Sequence, residues 1–369
     1  MVRRIVRKVI SLTRRRRGIV ALLVILVALC LLVKGFAYKI PSYLNVRVLE
    51  LLVSMMIISR GFELSGALSR LALYAIKVSR GDVRIAMQLM IVWTAVVSSI
   101  LMNDTSLFVF VPIAVALSRV CGIRKVNAVA LTVIAANVGS QLTPIGNPQN
   151  MIIWSLAQVP FQTFVFRMAI PTLACLALLH LYSLPMVWRR ARVPIPPKTA
   201  LNRVLVLSAG IALVATVLIE ESSLWYLSII PAIVLVITFR RYELHKAIDV
   251  GLIALFALIF IDFGGIGSML TGLRVSVPFM AIPALGIALS QAISNVPATM
   301  ILIHWVGTKY WYQIAISCNI AGNGTIVSSL ANLIAANLGD VKYRDLQVRT
   351  LPYLLITIPL AMIFSLSII

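Results

Sequence analysis

Two polar, helix-breaking signatures each occur twice inside very hydrophobic sequence. The first copy reads NDTSLFVFVP from Asn103 and NVGSQLTPIGNPQN from Asn137; the second reads SNVPATMILI from Ser294 and NIAGNGTIVSSLAN from Asn319. Asn, Asp, Thr, Gly and Pro are what a lipid-facing helix avoids. Without water, backbone groups freed by a break must be satisfied by protein, so such a break survives only inside protein or beside a cavity. Matching breaks in two halves predict an inverted repeat, with two re-entrant hairpins and two broken transmembrane helices meeting at one membrane-embedded polar site, the architecture of a secondary transporter.

Composition supplies the frame for that site. Hydrophobic residues make up 61% of the chain and charged residues 12%, with a mean hydropathy of +1.01. A soluble domain averages roughly 45–50% apolar and about 25% charged. Runs such as 18–33 and 351–369 come close to the roughly 17–25 residues that span a bilayer. The fold class expected is an all-α polytopic membrane protein in the cell (inner) membrane, with the lipid bilayer as a partner.

The net charge of +22 does not point to nucleic acid. Eight of the 33 basic residues lie in the first 17 positions, and most others sit in short segments between apolar runs. That is the positive-inside pattern. The four cysteines, Cys30, Cys121, Cys175 and Cys318, form no CxxC pair and read as small apolar packing residues. His180, His245 and His304 are scattered, and Gly339-Asp340 lacks the earlier glycine of an intramembrane aspartyl protease. No enzyme is expected, and no cofactor beyond sodium or a proton as coupling ion.

Threading by the basic residues gives five segments. Residues 1–17 form a cytoplasmic tail; 18–45 are an uncleaved first transmembrane helix and an external loop; 46–187 are the first repeat; 188–203 are a cytoplasmic linker; 204–369 are the second repeat, inverted. Within the first repeat, 60–84 reads as an interfacial amphipathic helix, 85–102 and 105–118 as hairpin arms, and 126–158 as a broken crossing. In the second, the arms are 276–293 and 299–306 and the broken crossing is 311–338. The threading has nine crossings and two hairpins, with the N-terminus cytoplasmic and the C-terminus external.

Each break exposes amides at the start of one half-helix and carbonyls at the end of the other. Helix N-termini attract anions; free carbonyls with Asn and Thr oxygens suit a small hard cation such as sodium. No Lys or Arg lies within the four motifs. Asp104, a carboxylate expected at mid-membrane, is a functional candidate by default. It would ligate a cation or carry a proton, and it also suits a helix cap. Asp262 is the other intramembrane acid, and the sequence alone does not choose a role for it.

These strings resemble those of the ion transporter superfamily that contains arsenite permeases, citrate carriers, dicarboxylate–sodium symporters and the melanosomal P protein. NDTSLF, TPIGNPQN, SNVPAT and GNGT carry the similarity, which runs from about residue 46 to the end. The resemblance implies a homodimer, elevator-type alternating access, and a small anion or oxyacid (a carboxylate, or an arsenite-like species) bound between the tips. By position it nominates Asn103, Asp104, Thr105, Ser294, Asn295, Val296, Pro297 and Thr299 at the tips. At the breaks it nominates Thr143, Gly146, Asn147, Pro148, Gly322, Asn323, Gly324 and Thr325. Sodium would be met by Asn103, Asp104, Asn147, Asn295 and Asn323. The chain departs from the dicarboxylate symporters at Asp104 and Val296, and from the arsenite permeases at Ser294. A sodium/proton antiporter of the same fold, working through Asp104, is the alternative.

Overall fold

The computed structural model describes residues 18–80, 82–187, 200–272 and 276–366. The expected cytoplasmic tail 1–17 and residues 188–199 of the expected linker 188–203 lie outside them. The described residues form α-helices joined by short turns. In the first half these are α1 (Gly18–Leu32), α2 (Phe36–Tyr43), α3 (Val46–Leu64), α4 (Ala67–Val78), α5 (Val83–Ile100), α6 (Asn103–Cys121), α7 (Lys125–Ser140), α8 (Pro148–Ala157) and α9 (Phe161–Ser183). In the second they are α10 (Arg203–Glu221), α11 (Ile230–Thr238), α12 (Val250–Gly272), α13 (Ile282–Ile293), α14 (Asn295–Trp305), α15 (Trp311–Ala321), α16 (Leu330–Gly339) and α17 (Tyr343–Leu366). One order, a hairpin followed by two half-helices and a long closing helix, occurs twice: α5 to α9, and α13 to α17.

Helix α5, helix α9 with its continuation to Val187, helix α10, the segment Arg240–Gly272 and helix α17 are each long and apolar enough to cross a membrane. The half-helices are not. At about 1.5 Å per residue, the ten residues of α8 reach only half of a hydrocarbon core of about 30 Å. Each must be completed by its partner across a break.

Three expectations are corrected. The stretch 34–45, expected as a loop, contains α2, which meets α3 at a bend of 44°; Phe36 is buried there and stacks on Tyr43. The segment 60–84 is not one interfacial helix. Residues 60–64 prolong α3, and the separate helix α4 packs along α5. The last helix starts at Tyr343 rather than near residue 351. In each case a short polar or mixed stretch is helical because packing, rather than its own periodicity, stabilises it.

The burial pattern is inside-out. Val204, Leu207, Ile211, Val214 and Leu218 recur at helical spacing along α10 and stay more than half exposed, while Asn147, Asn150, Asn319 and Asn332 are buried. Water would reverse this arrangement, and lipid supports it. The chain is a multi-pass membrane protein. Residues that the threading placed on one side also meet one another. At one end Arg47 pairs with Glu220 at 2.5 Å and Asn45 bonds Ser155. At the other, Lys125 reaches Asp340, Asn127 bonds the Met186 carbonyl and Tyr182 that of Arg349.

Candidate functional site

Each hairpin tip is short because the second arm begins almost where the first ends. In the first, Leu101 and Met102 alone separate α5 from α6; in the second, Ser294 alone separates α13 from α14, and it does so at φ 79°. The first amide of the second arm then finds an acceptor outside its own hairpin. Asn103 N–H donates to the Gly146 carbonyl at 2.9 Å, and Asn295 N–H donates to the Ser328 carbonyl at 3.0 Å. Gly146 and Ser328 each sit one residue before a half-helix cap, Asn147 for α8 and Ser329 for α16. Each tip is therefore tied to the break of its own half by the same hydrogen bond, and two helix N-termini lie side by side at each junction.

The breaks are closed internally by asparagine. Asn150 Nδ2 donates to the carbonyls of Ser140, Gln141 and Thr143 (3.2, 3.3 and 2.9 Å), satisfying the end of α7. Asn332 Nδ2 does the same for Gly322 and Thr325, both at 2.9 Å. These are the carbonyls that a helix end leaves without partners. Asn147 Oδ1 caps α8 by accepting from Asn150 N–H at 2.9 Å. The Gly146 backbone passes so close to α7 that an added Cβ would lie 2.2 Å from the Ser140 carbonyl oxygen.

The two halves then lock reciprocally. From the second half, Asn319 Oδ1 accepts from Asn147 (2.8 Å) and Gln149 (3.2 Å), and its Nδ2 donates to Asn150 Oδ1 (2.7 Å). From the first, Asn137 Nδ2 donates to Asn332 Oδ1 (3.2 Å) and to the Gly322 carbonyl (3.1 Å). All five asparagines are buried. Larger packing follows the same exchange, α6 lying on α16 and α14 on α8. In the second half Gln291 also clamps the break, accepting from Thr325 N–H at 2.8 Å and donating to the Ala321 carbonyl at 2.9 Å.

The structure thus brings most nominated residues together. Asn103, Gly146, Asn147 and Pro148 form one junction; Ser294, Asn295, Gly322 and Thr325 form the other, with the Asn295 amide group 3.3 Å from where a Cβ on Gly322 would stand. Thr143 Oγ1 anchors its break to the Ser99 carbonyl of the hairpin, and the Gly324 carbonyl accepts from Thr350. Val296, Pro297 and Thr299 are buried in the first turn of α14. The five residues nominated for sodium differ in what they have left to give. Asn147 Oδ1 is engaged as a cap, and Asn103 Oδ1 accepts from Asp104 N–H at 2.9 Å. Asn323 is buried, and its Oδ1 has no hydrogen-bond partner.

Asp104 and Thr105 stand apart from the asparagine lattice. They line a crevice of about 310 Å³ whose opposite wall is Met56, Arg60 and Glu63 of α3 with Lys246 and Asp249 before α12. Arg60 pairs with Glu63 at 2.6 Å and Lys246 with Glu243 at 2.5 Å. Sequence reading found no basic group in the four motifs and did not foresee these two beside a tip. They come from α3 and the turn before α12, distant in the chain, and carry no motif. Asn137, Asn150, Asn319 and Asn332 were within the quoted strings but were not nominated. Their signal was available: asparagines stand three residues past both caps, at 150 and 332, with 137 and 319 in the last turn of each preceding half-helix.

The family model described as "Citrate transporter" matches residues 8–310, and the chain belongs to that family. Inner membrane protein YbiR of Escherichia coli (strain K12) is 31% identical over 309 residues, which is 81% of this chain and 82% of that protein. An uncharacterized transporter of Methanocaldococcus jannaschii is 29% identical over 258 residues, 68% of this chain and 70% of that one. The solved YdaH transporter of Alcanivorax borkumensis, described as having an unusual topology, superposes with a TM-score of 0.57 at 14% identity, covering 91% of this chain and 87% of that one. That likeness is one of fold. The chain is a membrane transporter.

Proposed function

We propose that this citrate transporter family member moves a small carboxylate anion, citrate-like in charge and size, by secondary active transport coupled to sodium or protons. The observation that carries the reading is the reciprocal lock of Asn137 on Asn332 and Asn319 on Asn150. It holds two pairs of helix N-termini and a buried Asn323 oxygen with no partner in one place. N-termini stabilise carboxylate charge, and amide and backbone carbonyl oxygens suit the coupling cation. Substrate contacts fall to the tips at Asn103, Thr105, Ser294 and Asn295 and to the breaks at Gly146, Asn147, Asn323, Gly324 and Thr325.

Alternating access would move the two hairpins and two broken helices as one body. The lock makes them one unit, while α10 packs on α3 and α11, so α3, α10 and α11 form the static scaffold. The crevice between Asp104 and the Arg60–Lys246 wall lies between the two bodies and gives anions a path to the tip. The two repeats run in opposite senses, the basic ends face the cytoplasm, and two copies associate through their scaffolds.

The test is uptake by the purified chain in proteoliposomes. Labelled citrate and succinate should accumulate against a gradient when sodium or protons are supplied from outside, with arsenite and phosphate as counter-screens. Carboxylates that neither accumulate nor exchange would sink the proposal. A second reading, cation–proton exchange through Asp104, is favoured by the position of that carboxyl on an open crevice; sodium-driven proton movement with no anion present would select it.

A further inference from the structure

Among the described residues, two carboxylates are fully buried, Glu220 and Asp262. They differ in what compensates them. Glu220 has the Arg47 guanidinium at 2.5 Å. Asp262 has no ion pair, and neither of its carboxylate oxygens has a hydrogen-bond partner. It stands close to the midpoint of α12, a helix of 23 residues, about 35 Å long at 1.5 Å per residue and thus matched to the hydrocarbon core. A lone ionised carboxylate there would cost several kcal/mol or more. A neutral carboxyl group costs far less, so the group that belongs in this setting is the acid.

Among the described residues, none supplies a counter-charge. Of the titratable side chains on elements packed against α12, Tyr43 of α2 and His304 of α14 approach it at Gly264. On α3, Arg47 is bound to Glu220, Glu50 to Ser228 and Ile229, and Arg60 to Glu63. Lys39 of α2 is exposed. Helix α1, which touches α12 through Gly18 and Leu255, carries Cys30 alone.

Helix α12 is also bolted to the second hairpin. At Gly267 an added Cβ would stand 2.6 Å from the Ile301 carbonyl oxygen of α14, and Thr271 Oγ1 donates to the His304 carbonyl at 2.7 Å. Asp262 therefore belongs to the same packed body as the tip residues Ser294 and Asn295.

Resting on the reading of the chain as a secondary transporter, we propose that Asp262 is a proton-binding site of the transport cycle. It holds the proton in the buried setting described, and releases it when the body formed by α12 and the second hairpin moves and brings the carboxyl to water. In that step the carboxyl O–H bond breaks, the electron pair stays on the Asp262 oxygen and the proton passes to a water molecule; uptake is the reverse.

Infrared spectroscopy of the full chain in lipid, at neutral pH, reads the proton directly. The wild type should show a protonated-carboxyl C=O stretch that shifts in deuterium oxide and disappears in Asp262→Asn. Absence of such a band in the wild type, or its survival in the variant, overturns the proposal without any appeal to transport. In proteoliposomes fed citrate, an imposed proton gradient should stimulate wild-type uptake and leave Asp262→Asn uptake unchanged, with partial recovery in Asp262→Glu. Equal stimulation of wild type and Asp262→Asn also overturns it. If the band behaves as expected but no carboxylate moves, the proton site stands and the substrate assignment fails.

Discussion

In the first half of the molecule, the break between α7 and α8 is held by its own side chains: Asn147 caps, Asn150 satisfies three carbonyls, and the Gly146 backbone lies against Ser140, leaving the buried Gln141 Nε2 without a hydrogen-bond partner. In the second half, the break between α15 and α16 is capped by Ser329, which accepts from Ala331 N–H, and has a like carbonyl clamp from Asn332, yet Asn323 keeps an unengaged oxygen. The tips differ in the same sense. Asp104 of the first faces a charged crevice, whereas Asn295 of the second faces the break itself. The same backbone geometry thus carries different side-chain surroundings in the two halves.

The largest effect should come from cutting the lock on its heavier side. Asn319→Leu strands the Gln149 amide and the Asn150 oxygen, at about 1–3 kcal/mol for each buried group left unpaired, while Asn147 Nδ2 keeps the Ser140 carbonyl and hydroxyl. Asn137→Leu removes two weaker contacts; it strands the Asn332 oxygen alone, since the Gly322 carbonyl still accepts from Asn332 Nδ2 and Ser328 Oγ. Thermal unfolding in detergent should rank Asn319→Leu well below Asn137→Leu. Equal losses would mean that the two halves bear load equally.

Glycine substitutions come next. In Gly146→Ala the new methyl meets backbone, with Ser140 O at 2.2 Å and Ser140 Cα at 2.8 Å; in Gly324→Ala it meets side-chain ends, Gln291 Oε1 at 2.1 Å and Leu354 Cδ2 at 2.6 Å. Overpacking costs about 1–3 kcal/mol, and main chain yields less readily than a rotamer. Gly146→Ala should show the greater drop in melting temperature.

Asn323→Ala should separate stability from function. Its oxygen has no partner to lose, so melting should fall less than in a variant that removes a cap. Citrate or sodium affinity measured by uptake should fall about tenfold, the equivalent of one good hydrogen bond or ion contact of about 1.4 kcal/mol. Asn147→Ala, by contrast, loses a cap worth about 0.5–2 kcal/mol and should unfold earlier. The smallest structural effect belongs to Asp104→Asn. That variant should melt close to the wild type and should alter the ion dependence of uptake; unchanged ion dependence would remove Asp104 from coupling.

How much of this was legible before folding can be read from particular residues. NDTS placed the first tip to within two residues of the true arm boundaries and SNVP the second to within four, because Asn, Asp and Pro break helices by local chemistry. TPIGNP and GNGT marked the breaks for the same reason. Asn150 and Asn332 were in view but unread: an asparagine three residues inside a helix looks unremarkable until the carbonyls it satisfies are known. Helix α2 was missed because its eight residues become helical through Phe36 packing, which no local pattern announces.

The linear sequence determined that this protein lives in lipid, that it is helical, and where its backbone must be broken. Those features depend on transfer energies and on dihedral preferences of single residues, which act locally. Tertiary structure alone decided which asparagine meets which, that Arg60 and Lys246 stand across from Asp104, and that Asp262 has no partner. Those facts depend on distances between segments from about forty to nearly two hundred residues apart, and a buried polar group is satisfied or stranded only by what the whole fold brings to it.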